Sequence, residues 1–543
     1  MTSPPGFRGP FRTDLRARAA YAEGGGIYRV VPEAVAVPAD TSDVLVLTGW
    51  AGRAGKQLIP RGAGSAMPGD NIGGGVMVDL TAMDGPRLRV DPARRSAATS
   101  PGIRLADLNT AAGRDGLRLP PDPSSSAFAT AGGAVSTNAA GARSVKYGSV
   151  RRWVTALTLV TADAETIRLA RGEPVPASGA TARFAEADPF IQAGRSLVAQ
   201  RTPRVRKNSS GYALGEYLAS GDLIDLVIGA EGTLGFVTEV EWRLDRVPEV
   251  RAGLRVSLAR LDDLTEAVEA LLPLGPSALE LLDRSFLDLV RASPGHAAEV
   301  AGLPGQVILL VEFEGSDPRT IRGVVGDAVR RLRTLASDVE TAITPEEERR
   351  LWALRHAASP IIADLPPDRR SLQVIEDGCV PVQRTGEYIA GVRQAAAELE
   401  IPVVIFGHAG DGNVHVNILP DITRPGWEDD AARLLDSVTR LVAGLGGVPS
   451  GEHGTGRLRA RYLEGIYGPE MMGLFRRVKD AFDPAGIFNP GIMLPDAREP
   501  VSDLKAGIRS VPIPDDIAAA LREIEKRGGY RTDRLGLAGE DKG

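Results

Sequence analysis

PPDPSSSAFATAGGAVSTNAAGARSVKYGSV, residues Pro120–Val150, is the stretch on which the fold turns. Most of it is Gly, Ala, Ser and Thr, side chains too small to build a core, yet it lacks the charge that keeps a chain disordered. Phe128, Val135 and Tyr147 punctuate it, which separates it from a flexible Gly/Ser linker. Such a backbone suits close wrapping around a large flat or extended ligand, with Ser, Thr and Asn supplying hydrogen bonds. Two more Gly-rich elements flank it. IPRGAGSA (Ile59–Ala66) sets Arg61, Gly62 and Gly64 in a tight turn after Pro60, where backbone N–H groups can approach an anion such as a pyrophosphate. Alone that turn is weak evidence: a dinucleotide fingerprint would need a third Gly at Met67, and there is no Walker A sequence. The third element, GAEGTLGFVTE (Gly229–Glu239), follows DLVI, which reads as an apolar strand.

Composition bounds what lies around these loops. The 543 residues, 43% hydrophobic and 25% charged, are enough for two or three globular domains. One Cys, Cys379, excludes an intrachain disulfide framework and any Fe–S cluster or Cys-based zinc site made from these residues alone. The formal charge of -6 argues against a general nucleic-acid-binding surface. No apolar run approaches the roughly 20 residues of a transmembrane helix. The basic N-terminus has no apolar signal core, so a cytoplasmic protein is expected, with peripheral attachment at the inner membrane face left open.

From about Val31 to Arg246, short strands such as Gly75–Leu80, Leu157–Asp163 and Asp225–Ala230 alternate with helical patterns such as Thr41–Gly55. DRVPEVR (Asp245–Arg251) marks a boundary. Beyond it, strands at Leu254–Ala259, Gln306–Gly315 and Pro402–Gly407 alternate with helices at Leu264–Leu272, Arg319–Ser337 and Arg384–Leu399, the texture of a sheet covered on one face. Glu470–Phe482 is amphipathic and stops at DPAGIFNPG, and a polar tail carries one short helix, Asp515–Lys526.

PVVIFGHAGDGNVHVN (Pro402–Asn417) holds the sharpest chemistry. Asp411-Gly412 is a strong hairpin signal, and a two-residue turn there puts His408 opposite His415, with Asn417 further along the same face. Cβ atoms about 4.5–5.5 Å apart would let two imidazoles share a divalent metal. Glu452 in SGEHGTG, between glycines but for one neighbour, offers a third ligand, which leaves His453 free to act as a base. Satisfied core histidines are the bland alternative.

These blocks, in this order, resemble the FAD-linked oxidases of the vanillyl-alcohol-oxidase type, in the branch of D-lactate, glycolate and D-2-hydroxyglutarate dehydrogenases. RKNSSGYAL (Arg206–Leu214), LWALRH (Leu351–His356), IEDGCVP (Ile375–Pro381), GEHGTGR (Gly451–Arg457) and FDPAGIFNPG (Phe482–Gly491) extend the likeness over about Val31–Pro495. It implies an α+β protein: a two-subdomain FAD-binding domain of that type plus an α+β cap, or substrate, domain with an antiparallel sheet. The expected ranges are 31–246 for the FAD domain, 247–455 for the cap, 456–495 returning to the FAD domain, and 496–543 for the tail.

The resemblance also implies residue roles. FAD contacts are expected from Arg61, Gly62, Ala63, Gly64 and Ser65; from Pro121, Asp122, Gly132, Gly133, Ser136, Asn138, Gly141, Tyr147 and Gly148; and from Glu231, Gly232, Gly235, Val237 and Asn489. Ser65 stands where covalently flavinylated members carry His, so FAD should be bound non-covalently. His408, His415 and Glu452 match ligands of a zinc-like divalent ion, His453 the proposed base, and Arg355 a carboxylate-binding Arg, with Asn417 joining the catalytic group. The implied activity is an FAD-dependent D-2-hydroxyacid dehydrogenase, a flavoprotein oxidoreductase transferring hydride to flavin N5.

Ile375 stands where the 2-hydroxyglutarate enzymes place a Lys for the distal carboxylate, so a smaller substrate such as D-lactate or glycolate is expected. Residues around Ile361–Pro381 look most like larger members fused to an Fe–S module. A separate electron acceptor is therefore expected: a quinone, an Fe–S or cytochrome partner, or an electron-transfer flavoprotein. An oxygen-using oxidase of the same fold is the nearest alternative. A transferase of the alkylglycerone-phosphate synthase type lacks its His-rich run here, and a metal hydrolase would leave the Gly-rich blocks unexplained. Cys379 reads as a small core residue, and a homodimer is left open.

Overall fold

A computed structural model describes the chain except residues 84–86, 294–299, 301, 357–360, 363–364, 367 and 540–543. Three principal sheets organise it. The first has strands Phe11–Arg12, Ala34–Ala36, Val76–Asp79 and Leu58–Arg61 in that spatial order, with the last three parallel. Val76–Asp79 is buried throughout, as a central parallel strand must be when both faces are covered. The helix Thr41–Ala54 packs Val44, Leu47 and Ala51 on this sheet. Asp40 caps its first turn and Gly55, at φ 61°, closes its last in the left-handed conformation.

The second sheet is antiparallel, ordered Leu88–Asp91, Ser96–Thr99, Phe236–Arg243, Val154–Val160 and Thr166–Ala170. The Gly-rich segments run between the first two sheets. DLVI is not a strand: Ile224–Val227 is one helical turn, which buries Asp225 against Arg151 and Arg171. A short apolar run such as Leu226–Ile228 does not distinguish the two states. The helix Pro469–Phe482 packs Phe475 and Phe482 into the core of this half, edge-on to Tyr212 and tilted on Phe184 respectively.

The third sheet is antiparallel with seven strands: Ala336–Ala342, Val250–Leu258, Val307–Gly315, Ala278–Asp283, Val403–His408, Asn413–Ile418 and Gly378–Cys379. In VILLVEFEG, Val307, Leu309, Val311 and Phe313 face one core, while Ile308, Leu310, Glu312 and Glu314 face the other side. The sheet is thus not covered on one face only. Its second face is part apolar, under Phe286, Leu287 and Val290 of the helix Arg284–Ala292, and part charged. There Arg143 and Arg118, from the flavin half, pair with Glu312 and Glu314 at 2.6 and 2.8 Å. The helix expected over Arg319–Ser337 ends at Leu332, because Ala336–Ala342 pairs as an edge strand with Val250–Leu258.

The tail returns to the first sheet. Helix Asp515–Arg527 sets Ile517, Ala518 and Leu521 against Tyr21, Ile59 and Met77. Among the described residues, no helix is long and apolar enough to cross a membrane.

Candidate active site

The register of the seven-stranded sheet builds the site. The turn after Val403–His408 spans four residues, Ala409–Gly412, with Gly412 at φ 71°. Consequently His408 pairs with Asn413 and Phe406 with His415, so the two histidines are diagonal neighbours, not directly opposed as a two-residue turn would place them. They still share a face, and their rings lie 5.0 Å apart at 88°. Asn417 continues the same face.

Glu452 arrives from the loop after Val448. Its Oε1 lies 3.1 Å from His408 Nε2 and 3.3 Å from His415 Nε2. His453 stacks on His415 with ring centroids 5.1 Å apart, its Nε2 3.7 Å from the same oxygen. Asp377 holds this loop: its Oδ2 accepts from Ser450 Oγ and from the backbone N–H groups of Glu452 and His453. Lys207 is buried beside it and donates to Glu452 Oε2 at 2.7 Å. Burial opposes ionisation of Glu452, but Lys207 and His408 outweigh it and hold the carboxyl well below its usual range. Burial likewise opposes charge on His453, yet Glu376, 2.6 Å from Nδ1, and Asp377 raise it to about 9.

Two acceptors of this network, Glu280 and Glu376, have no counterpart in the residues expected from sequence. Glu280 Oε1 lies 2.5 Å from His408 Nδ1 and its Oε2 accepts from Arg355 Nε at 2.9 Å. A lone Glu in the apolar run ALELLD was the available signal. Glu376 lies beside Ile375 in a segment quoted for its likeness, and Lys207 in RKNSSGYAL, but neither spacing announces a partner.

Beside this cluster opens a cavity that is partly continuous with solvent. Arg61, Gly62, Ala63, Gly64 and Ser65 line it, as do Gly132, Gly133 and Ser136, then Glu231, Gly232, Gly235 and Val237. Glu452 and His453 form its end nearest the sheet cluster. Arg61 contributes backbone, since its guanidinium is buried and donates to the carbonyls of Tyr21, Glu23 and Asn71.

Pro121, Asp122, Asn138, Gly141, Tyr147, Gly148 and Asn489 are not among the residues lining this cavity, and the Oδ1 atoms of Asn138 and Asn489 are buried without a protein partner. Asp122 pairs with Arg143, and Tyr147 donates to Glu314. Gly141 accepts from Lys207, while Asn138 and Gly148 end short helices with positive φ. Asn489 Nδ2 ties the carbonyls of Asp70 and Glu231 together just behind the wall. Asp70 and Asn71, which sequence reasoning passed over, do line it.

FAD fits these walls. Asp70 Oδ1 and Asn71 Oδ1 are buried acceptors without a protein partner, as a ligand carrying N–H and O–H groups would require. A Cβ on Gly62 would collide with Thr130 Oγ1, and one on Gly132 would lie 2.9 Å from Pro101 Cβ, so the backbone itself must form the surface. The donor set of His408, His415 and Glu452 has its ligand atoms within 4.8 Å of one another, and two imidazoles with one carboxylate suit a zinc-like ion. Glu376, Asp377, His415 and His453 form a second such group sharing His415.

A glycine-walled cavity meeting an imidazole–carboxylate cluster is the site of a cofactor-dependent enzyme. Residues 32–170 match the FAD binding domain model, and residues 247–493 that of FAD linked oxidases, C-terminal domain. The chain belongs to the FAD-linked oxidase family and is an FAD-dependent oxidoreductase. A D-lactate dehydrogenase of Anaerostipes hadrus is 31% identical over 85% of this chain and 89% of that protein. The glycolate oxidase subunit GlcD of Bacillus subtilis strain 168 is 29% identical over 87% and 92% respectively. A solved alkyldihydroxyacetonephosphate synthase shares the fold, with a TM-score of 0.60 at 16% identity over 88% of this chain and 83% of that one.

Proposed function

We propose that the protein oxidises a small D-2-hydroxy acid, D-lactate or a glycolate-like acid, to the 2-oxo acid. The carrying observation is that one cavity runs from the glycine cradle to Glu452 and His453. FAD, bound non-covalently in that cradle, supplies the hydride acceptor at N5. A divalent cation held by His408, His415 and Glu452 would polarise the substrate hydroxyl and, by repulsion, favour the neutral form of His453.

The remaining work falls to side chains. His453 takes the hydroxyl proton at Nε2, while Nδ1, held by Glu376, keeps the ring oriented. Arg355 has its Nε on Glu280 and its face against the Phe406 ring at 4.7 Å, and its terminal nitrogens bind the substrate carboxylate. Asn417 Oδ1 accepts from Ser371 and Gln373, which leaves its amide N–H groups as donors toward substrate.

Ile375 is buried in the apolar core and offers no cation to a second carboxylate, and Arg369 and Arg370 are engaged by the Leu419 carbonyl and Glu525. This favours a monocarboxylate over D-2-hydroxyglutarate. The electron acceptor would be a separate partner: a quinone, an Fe–S or cytochrome partner, or an electron-transfer flavoprotein. Cys379 is no relay, because it is fully buried and burial pushes its thiol far up.

The test is anaerobic addition of D-lactate, glycolate and D-2-hydroxyglutarate to the purified yellow protein. Bleaching of the flavin by the first two, lost after chelation, is expected. A protein that takes up no FAD, or one that strongly prefers D-2-hydroxyglutarate, refutes the respective part.

A further inference from the structure

Glu280 sits mid-strand in Ala278–Asp283, every residue of which is buried, and it is itself wholly inaccessible. A carboxylate costs several kcal/mol in such a place unless paired and hydrogen-bonded, so its partners define its purpose. Among the described residues it has two hydrogen-bond partners, one on each oxygen: His408 Nδ1 at 2.5 Å and Arg355 Nε at 2.9 Å. Neither comes from its own strand. His408 ends the neighbouring strand, and Arg355 comes from the helix Pro345–His356.

The consequences follow from valence. An Nδ1–H donated to Glu280 would leave Nε2, 3.1 Å from Glu452, as the nitrogen free to ligate a cation held between them. With Nε engaged by the other oxygen and Phe406 against its face, the Arg355 plane is fixed as well. The two oxygens of one carboxylate cannot move apart, so the two side chains they hold are locked in mutual position.

Resting on the function proposed above, we infer that Glu280 is a positioning residue that ties the substrate-carboxylate anchor, Arg355, to the metal-side ligand, His408. The tie sets the distance between the group that receives the carboxylate and the group beside which the hydroxyl is activated. It thereby selects acids whose hydroxyl is on the carbon next to the carboxylate, and disfavours 3-hydroxy acids, in which those groups stand one carbon further apart.

The test compares wild type with Glu280→Gln as FAD-loaded, metal-stripped protein, by calorimetric titration with Zn²⁺ and by steady-state kinetics. Glu280→Gln, nearly the same shape, should weaken Zn²⁺ binding by about 10–100-fold, raise the KM for D-lactate, and narrow the preference for D-lactate over D-3-hydroxybutyrate. Arg355→Ala should raise the same KM while leaving Zn²⁺ affinity within about threefold, since it touches no ligand atom of the cluster. Glu280→Asp keeps the charge but withdraws the carboxylate by one methylene, so it should lose at least one of the two effects; it takes over as the test variant if the Gln form fails to load FAD. Zn²⁺ affinity and D-lactate KM both unchanged in the variant would overturn the inference. Wild type that takes up no Zn²⁺ and turns over fully after chelation would instead overturn the metal reading, and this inference with it.

Discussion

Gly232→Ala isolates the contribution of the cradle's backbone. Gly232 lines the FAD cavity at φ 68°, in the left-handed region, where a non-Gly residue costs about 1–2 kcal/mol. An added Cβ would also lie 3.1 Å from Pro60 Cβ and closer still to Pro60 Cγ. A proline ring in the strand Leu58–Arg61 has no rotamer by which to withdraw, so overpacking adds about 1–3 kcal/mol. The two together come to about 2–5 kcal/mol. Free protein can relieve this by displacing the Glu231–Gly235 loop, but bound FAD requires the loop in place, so the cost falls on cofactor affinity. At 1.4 kcal/mol per tenfold, even the lower bound corresponds to about a 30-fold rise in the Kd for FAD. Flavin fluorescence quenching on titrating apoprotein measures it. Adding Pro60→Ala removes the Cγ contact but not the φ strain, so the double variant should recover part of the loss. Wild-type affinity in the single variant, or no recovery in the double, refutes the reasoning.

Other perturbations read the rest of the site. Lys207→Met strips the ammonium from Glu452 and from Asp411, 3.5 Å away, and should destabilise the FAD-loaded protein by about 3–5 kcal/mol; Glu452→Gln added to it should restore part of the melting temperature. His408→Ala and His453→Ala should each lower kcat by about 10²-fold or more with FAD retained, but only His408→Ala should lose bound divalent metal, as counted by elemental analysis. Leu521→Asp buries a carboxylate against Tyr21 and Met77; it should release the tail helix, seen as new protease cleavage after residue 512.

What the residues announced on their own were elements with strong local chemistry. Three Gly-rich blocks carried the flavin fold because close backbone approach needs glycine whatever surrounds it, and Arg61–Ser65, Gly132, Gly133, Glu231, Gly232 and Gly235 do wall one cavity. The strand VILLVEFEG was legible too, but the sequence suggested a sheet covered on one face, whereas both of its faces are packed. His408, His415, Glu452 and His453 stood out by type and spacing.

Tertiary structure decided what depends on distant partners. DLVI became a helical turn with Asp225 paired to Arg151 and Arg171, and the His408–His415 register depended on a four-residue turn that Asp411-Gly412 alone does not specify. Tyr147 and Asp122 do not line the cavity: Tyr147 donates to Glu314 of the seven-stranded sheet, and Asp122 pairs with Arg143, itself bound to Glu312 of that sheet. Glu280, Glu376 and Lys207 were not read as site residues, although a lone Glu in ALELLD hinted at the first. A buried ionised side chain takes its meaning from the opposite charge beside it, and Glu280's partners lie 75 and 128 positions away in sequence, brought within hydrogen-bond reach only by the sheet.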